Sequence, residues 1–183
     1  NIKNALKLVL HIPLRAENLC NLKWNQINFE NKTLTIPREN MKLSNINLDD
    51  FVMPLTDEVI KILKEHKDMQ LFSIKPKEYV FLGFNNRQAI NKESPNRALF
   101  RLGFNDEKKG TKIRLHGFRG TFRSLIDTLD TKNIFSFEVK ERALDHHDKN
   151  LVARSYNHKA NYQEQMIKLM EFWSEFICSL KKD

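Results

Sequence analysis

Apolar positions recur at i, i+3 and i+4 through most of this chain, which predicts a mainly helical domain. Between Ile2 and Leu10, one stripe carries Ala5, Leu6, Val9 and Leu10, and the same period returns from Ala16 to Leu22. Two short β-like runs follow, Thr33-Leu34-Thr35-Ile36 and Phe51-Val52-Met53, joined by a polar stretch with Asn45, Asn47, Asp49 and Asp50. Tyr79-Val80-Phe81 reads as a third strand. Thr56-Asp57-Glu58 offers a capping hydroxyl and two first-turn acids, so a helix starts there and continues through Val59, Ile60, Ile62 and Leu63. Ser94-Pro95 marks another start, with an end near Gly103, and the polar run from Asn105 to Lys112 is a loop. From Leu115 to about Leu129 the buried stripe is Phe118, Phe122, Leu125, Ile126 and Leu129. Ser136 opens a helix through Phe137, Val139, Ala143 and Leu144, and Lys149 to Tyr156 reads as a short helix. A last helix runs from about Tyr162 to Leu180, with Met166, Leu169, Met170, Trp173, Phe176 and Ile177 apolar. The sum is a helical domain with a small three-stranded sheet at one edge.

Length and charge narrow this picture. The 183 residues suffice for one domain with a sizeable core and are too few for two comfortable ones. Lys and Arg outnumber Asp and Glu by 31 to 23, so the surface attracts polyanions in a salt-sensitive way without naming one. Cys20 and Cys178 lie far apart within apolar patterns, which predicts two buried free thiols of a cytosolic protein. No signal peptide, lipidation motif or membrane-length apolar run is present, so a soluble cytoplasmic protein is the expectation. The chain opens on Asn1, directly in a helical pattern, and reads as a piece of a longer protein.

The chemistry gathers in Arg114-Leu115-His116-Gly117-Phe118-Arg119. If that run is helical, His116 and Arg119 share a face, where an imidazole and a guanidinium can both reach one phosphate. Arg offers a planar fork of donors, and His a donor that also moves a proton. Leu144-Asp145-His146 and then Tyr156 add a further imidazole and a phenol. Cationic donors with one hydroxyl nucleophile, and no carboxylate cluster for a metal, suit phosphoryl transfer without metal or cofactor.

In that order these residues resemble the catalytic domain of the tyrosine recombinases, the phage-type integrases. Leu14-Arg15-Ala16-Glu17-Asn18-Leu19, with Leu22-Lys23-Trp24 and Ile27, is similar to the family's first Arg box. Ile36-Pro37, Met41-Lys42 and Val52-Met53-Pro54-Leu55 resemble the hairpin that carries its Lys. His116-Gly117-Phe118-Arg119 resembles the second Arg box. Glu141-Arg142-Ala143-Leu144-Asp145-His146, Lys149-Asn150 and Ser155-Tyr156-Asn157 resemble the third box and the nucleophile. The likeness runs from about Leu8 to Trp173. It implies an α+β, mostly α-helical fold of the tyrosine-recombinase type with a three-stranded antiparallel sheet, residues 1–183 being a catalytic-domain fragment without the amino-terminal DNA-binding domains.

The resemblance also implies roles. Arg15 and Arg119 would hold the non-bridging oxygens of a DNA phosphate, and Lys42 would protonate the leaving 5′ oxygen. His116 and His146 would flank the phosphate, and Tyr156 would attack it. An unperturbed Tyr has a pKa of about 10, so surrounding cations would be needed to favour its phenolate. Lys32, His147, Tyr79 and Tyr162 are rivals that match the boxes less well. Asn18 stands where an acid is frequent and would brace by hydrogen bonding, and Pro13 replaces a common Gly. Asp145, where a small residue is usual, is expected to favour the protonated form of a neighbouring His. The implied partner is double-stranded DNA, with a homotetramer assembling on it from monomers and no membrane. The final helix would pack on its own domain or on a neighbouring subunit. Three competitors stand beside a recombinase: a type IB topoisomerase-like enzyme, a catalytically silent DNA-binding module, and a metal enzyme built on Asp145-His146-His147-Asp148. The last is weakest, because consecutive side chains on a helix diverge.

Overall fold

The computed structural model describes residues 1–42, 48–71, 77–85, 87–146 and 162–181. Among them are seven α-helices: α1 (Ile2–His11), α2 (Ala16–Cys20), α3 (Asp57–Leu71), α4 (Glu93–Arg101), α5 (Gly117–Leu129), α6 (Phe137–Ala143) and α7 (Gln163–Ser179). Three strands, β1 (Ile27–Asn28), β2 (Thr33–Ile36) and β3 (Phe51–Pro54), form an antiparallel sheet in that order. Ile27 faces Leu34, and Leu34 faces Met53. The mostly helical α+β fold with a small sheet is the one the sequence predicts.

The third strand is not where the pattern placed it. Tyr79 makes only an isolated bridge to Lys23, and Leu82 one to Ala89. Ile27–Asn28 takes the sheet position instead, and two residues are too few to show an alternating period. In α1 the buried stripe is Ala5, Leu8 and Val9, continued by Ile12, so the helix is rotated and Leu10 is exposed. The chain leaves α1 in extended geometry at Ile12, as the following Pro13 requires. The second helix stops at Cys20, two residues before the predicted Leu22. The helix at Ser94-Pro95 begins at Glu93, so Pro95 falls inside its first turn. Thr56 does not cap α3 with its hydroxyl, which donates to Ser174 Oγ at 3.0 Å. Ser136 does cap α6, accepting from the Val139 amide at 3.3 Å.

The final helix packs on its own domain, against α1, α6 and β3. Met166, Leu169, Met170 and Trp173 are buried, Trp173 meets Phe122 edge-on at 5.1 Å, and its Nε1 donates to the Leu10 carbonyl at 2.7 Å. Cys20 is buried as predicted; Cys178, near the exposed end of α7, is only half-buried, and both are free thiols. No helix among the described residues is long and apolar enough to cross a membrane.

Candidate active site

The end of α6 builds the site. The amides of Asp145 and His146 bond the carbonyls of Arg142 and Glu141, both at 2.9 Å, which is the paired closure of a Schellman motif. Its turning residue needs a positive φ, and Asp145 supplies one at 51°. Glycine is the usual occupant, and Asp is among the few other residues that enter this region readily. The turn aims two successive carbonyls and one carboxylate inward.

Both family-box arginines are bound to that turn. Arg119 donates from Nη2 to the Leu144 carbonyl at 2.6 Å and from Nη1 to the Pro13 carbonyl at 2.7 Å. Arg15, the N-cap of α2, donates from Nη1 to Asp145 Oδ2 at 2.7 Å and from Nη2 to the Asp145 carbonyl at 3.3 Å. Two guanidiniums from distant parts of the sequence therefore meet at adjacent peptide units. Arg119 is 6% exposed, and burial, reinforced by the charge of Arg15, lowers its pKa to about 10. It stays protonated at neutral pH. Each guanidinium has five N–H groups, so these bonds saturate neither.

Among the described residues, the Asp145 carboxylate is bound by arginines. Its Oδ1 accepts from Arg38 Nη1 at 2.8 Å, so one buried carboxylate joins Arg15 to Arg38. Arg38 also donates to the Asp49 carbonyl, and its amide bonds Asp50 Oδ1, fixing the β2–β3 connection beside the site. Sequence reasoning missed Arg38, whose partner lies 107 residues away with no local spacing to betray it.

The carboxylate that holds His146 is Glu141. Its Oε2 lies 2.8 Å from His146 Nδ1, and Arg119 Nη2 lies 3.3 Å from His146 Nε2. Since Arg can only donate, this arrangement puts the imidazole proton on Nδ1 and leaves Nε2 as acceptor. Glu141 Oε1 also accepts from Arg123 Nε at 2.6 Å. Burial pushes the Glu141 pKa up, but the bonds from Arg123 and His146 outweigh it and hold the group below its ordinary value. Arg123 pairs further with Asp127, and the buried Lys140 bridges Asp127 at 3.1 Å to Asp130 at 3.0 Å.

The remaining predicted residues are placed less tightly. His116 is exposed and serves as N-cap of α5, one residue before the helix, whereas Arg119 is buried inside it. The shared helical face expected for the two is replaced by a shared first turn. Lys42 is exposed on the connection between β2 and β3. It lines a polar cleft of about 430 Å³ with Glu17, Asn18, Asn40 and Tyr79, to which neither family-box arginine contributes. Asn18 ties the two boxes together, donating from Nδ2 to the Asn40 carbonyl at 3.0 Å, the bracing expected of it. The rival Lys32 is paired with Asp57 at 2.7 Å. Tyr156, His147 and the predicted helix from Lys149 lie outside the described residues.

The sequence pattern of the phage integrase family matches residues 1–163. Prophage integrase IntA of Escherichia coli (strain K12) is 29% identical over 164 residues, covering 89% of this chain and 35% of the relative. The crystal structure of XerA recombinase shares the fold with a TM-score of 0.57 at 21% identity, over 86% of this chain and 57% of that one. The Tn1549 transposon integrase in complex with transposon right-end DNA gives a TM-score of 0.55 at 15% identity, over 90% of this chain and 56% of that one. The chain spans between 35% and 43% of the length of the curated relatives it matches.

Proposed function

Because this chain belongs to the phage integrase family, we propose that it is the catalytic domain of a site-specific DNA recombinase with Tyr156 as nucleophile. The Tyr156 phenolate attacks a DNA phosphorus, the bond to the 5′ oxygen breaks, and a 3′-phosphotyrosyl link forms. Lys42 donates the proton that the leaving 5′ oxygen takes up. A 5′-hydroxyl from a second strand then attacks the link and expels Tyr156, rejoining DNA in a new pairing. The phosphodiester energy stays in the covalent intermediate, so neither ATP nor a metal takes part. Four subunits on two DNA sites would carry out the two rounds of exchange.

The observation that carries this reading is the convergence of Arg15 and Arg119 on successive peptide units beside His146. Donors fixed before the reaction stabilise the charge that builds on the phosphoryl oxygens without reorganising. His146 Nε2 would take up the Tyr156 proton and, once protonated, donate to the same oxygens, with His116 as a further donor. The DNA-bound Tn1549 integrase supports duplex DNA as the partner.

The test uses nicked duplexes covering the DNA on either side of the encoding gene. Cleavage next to a nick releases the short fragment that carries the new 5′-hydroxyl and so traps the covalent adduct. The prediction is one duplex that yields a protein–DNA adduct, stable to denaturant, formed by the wild type and absent with Tyr156→Phe. An adduct that persists in Tyr156→Phe contradicts the assignment.

A further inference from the structure

A second cluster of reactive groups lies outside the arginine site, where three helices bring unlike donors together. His11 ends α1, Glu58 stands in the first turn of α3, and Cys178 lies in the last turn of α7. One ligand atom from each is within 4.8 Å of the other two. His11 is 3% exposed, while Glu58 and Cys178 are half-buried and open to solvent on one side.

The imidazole is already oriented. His11 Nδ1 lies 2.8 Å from Ser174 Oγ, which also accepts from Thr56 Oγ1 at 3.0 Å. Where the ring donates from Nδ1 to that oxygen, Nε2 keeps its lone pair. Imidazoles that bind metals are nearly always held this way by their second nitrogen. The cluster also already holds a cation. Lys181 Nζ sits 2.6 Å from Glu58 Oε1, and its charge acts on both His11 and Cys178.

We infer that His11, Glu58 and Cys178 form a binding site for a zinc-class divalent cation, held in the metal-free protein by the Lys181 ammonium. A neutral imidazole, a thiolate and a carboxylate are the donor set of a borderline-soft ion with a preference for four ligands. On binding, Lys181 leaves Glu58 and the Cys178 thiol releases its proton to solvent. The ion then bonds Cys178 Sγ, one Glu58 oxygen and His11 Nε2, and a water completes the set. No group is oxidised or reduced. The bound ion would tie the ends of α1, α3 and α7 together and pin α7 to its own domain. This site plays no part in the strand chemistry proposed above and stands without it.

Cobalt(II) is the probe, titrated into the whole chain with thiols kept reduced by a phosphine. One equivalent is expected to produce thiolate-to-cobalt absorption with the intense visible bands of a four-coordinate ion, both removed by added zinc. Cys178→Ser abolishes them. Cys20→Ser keeps them, because burial raises the Cys20 thiol to about 11 and leaves it protonated. Glu58→Gln, at a partly exposed position that tolerates the change, weakens binding several-fold. Lys181→Ala strengthens it several-fold by removing the competing cation, an effect that chance binding at surface groups would not show. Absence of the thiolate absorption in the wild type overturns the inference. So does its survival in Cys178→Ser, or an affinity that Lys181→Ala leaves unchanged.

Discussion

At the end of α6, Arg15, Arg38 and Arg119 are fixed by a buried carboxylate and by main-chain carbonyls, whereas Lys42 on the β2–β3 connection is exposed. The Asp145 carboxylate is 2% exposed, so its ion pairs are hardly screened. The chain just before Lys42 is held by the Asn18 bond to the Asn40 carbonyl and by the buried Met41, while the Lys42 side chain reaches into solvent. The difference matches the two tasks in the proposed reaction. Charge on a phosphoryl oxygen is best met by donors that need not move, while a proton donor must travel to one particular leaving atom. Rigidity and reach are thus assigned to different segments of one chain.

The largest expected effect comes from removing the most deeply fixed guanidinium. Arg119→Ala should slow adduct formation about 10³-fold. It should also lower the melting temperature, since the Pro13 and Leu144 carbonyls lose their donor. Arg119→Lys should rescue little, because an ammonium cannot span both carbonyls.

Next in size is the carboxylate. Asp145→Asn breaks two buried ion pairs and should cost about 3 kcal/mol in urea denaturation. Asp145→Gly should lose as much, although glycine suits the positive φ better. Stability retained in Asp145→Gly would show that the turn alone matters and would break the comparison.

Lys42→Ala is expected to act only on chemistry. Adduct formation should fall about 10²-fold, while the unfolding free energy stays within about 0.5 kcal/mol of wild type. A sulfur in place of the leaving 5′ oxygen should restore the rate, because a thiolate departs without a proton. A clear loss of stability would mean that Lys42 is part of the scaffold.

The smallest effect separates the regions by pH. Burial would raise Glu141, Asp127 and Asp130, but their bonds to Arg123, His146 and Lys140 hold all three below their ordinary values. Depressed carboxylates stabilise the fold above their unfolded pKa values, 4.5 for Glu and 3.8 for Asp. That stabilisation is lost as pH falls through the lower folded values. Melting temperature should therefore hold above about pH 5 and drop below it, with a shallower drop in Glu141→Gln. An unchanged acid profile in that variant would remove Glu141 from the brace.

Much of this was legible in the sequence because it rests on short-range pattern. Phe122 and Ile126 on the helical stripe, and the strand pair at Leu34 and Met53, bury as their periods require, with Phe118, Leu125 and Leu129 partly buried beside them. The Ser136 cap is equally local. Arg15 and Arg119 could be named from their boxes, but their meeting could not, since it depends on a Schellman turn closed by tertiary contacts. Arg38 was invisible for the same reason, as was the bridge that Asp145 makes between Arg15 and Arg38. The third strand failed because Ile27–Asn28 is too short for a period, while Tyr79-Val80-Phe81 has the right composition but pairs with Lys23 through a single bridge that does not extend into a ladder.

The claim under all of this is that two guanidiniums neutralise the charge on one DNA phosphate. It is tested by replacing a non-bridging oxygen at the cleaved position with methyl, which makes that linkage neutral. The account predicts that Arg15→Ala and Arg119→Ala, both strongly impaired on the natural phosphate, recover most of their lost adduct formation on the methylphosphonate. If neither variant forms the adduct faster on the neutral linkage than on the charged one, the arginines do not serve that phosphate and the account fails.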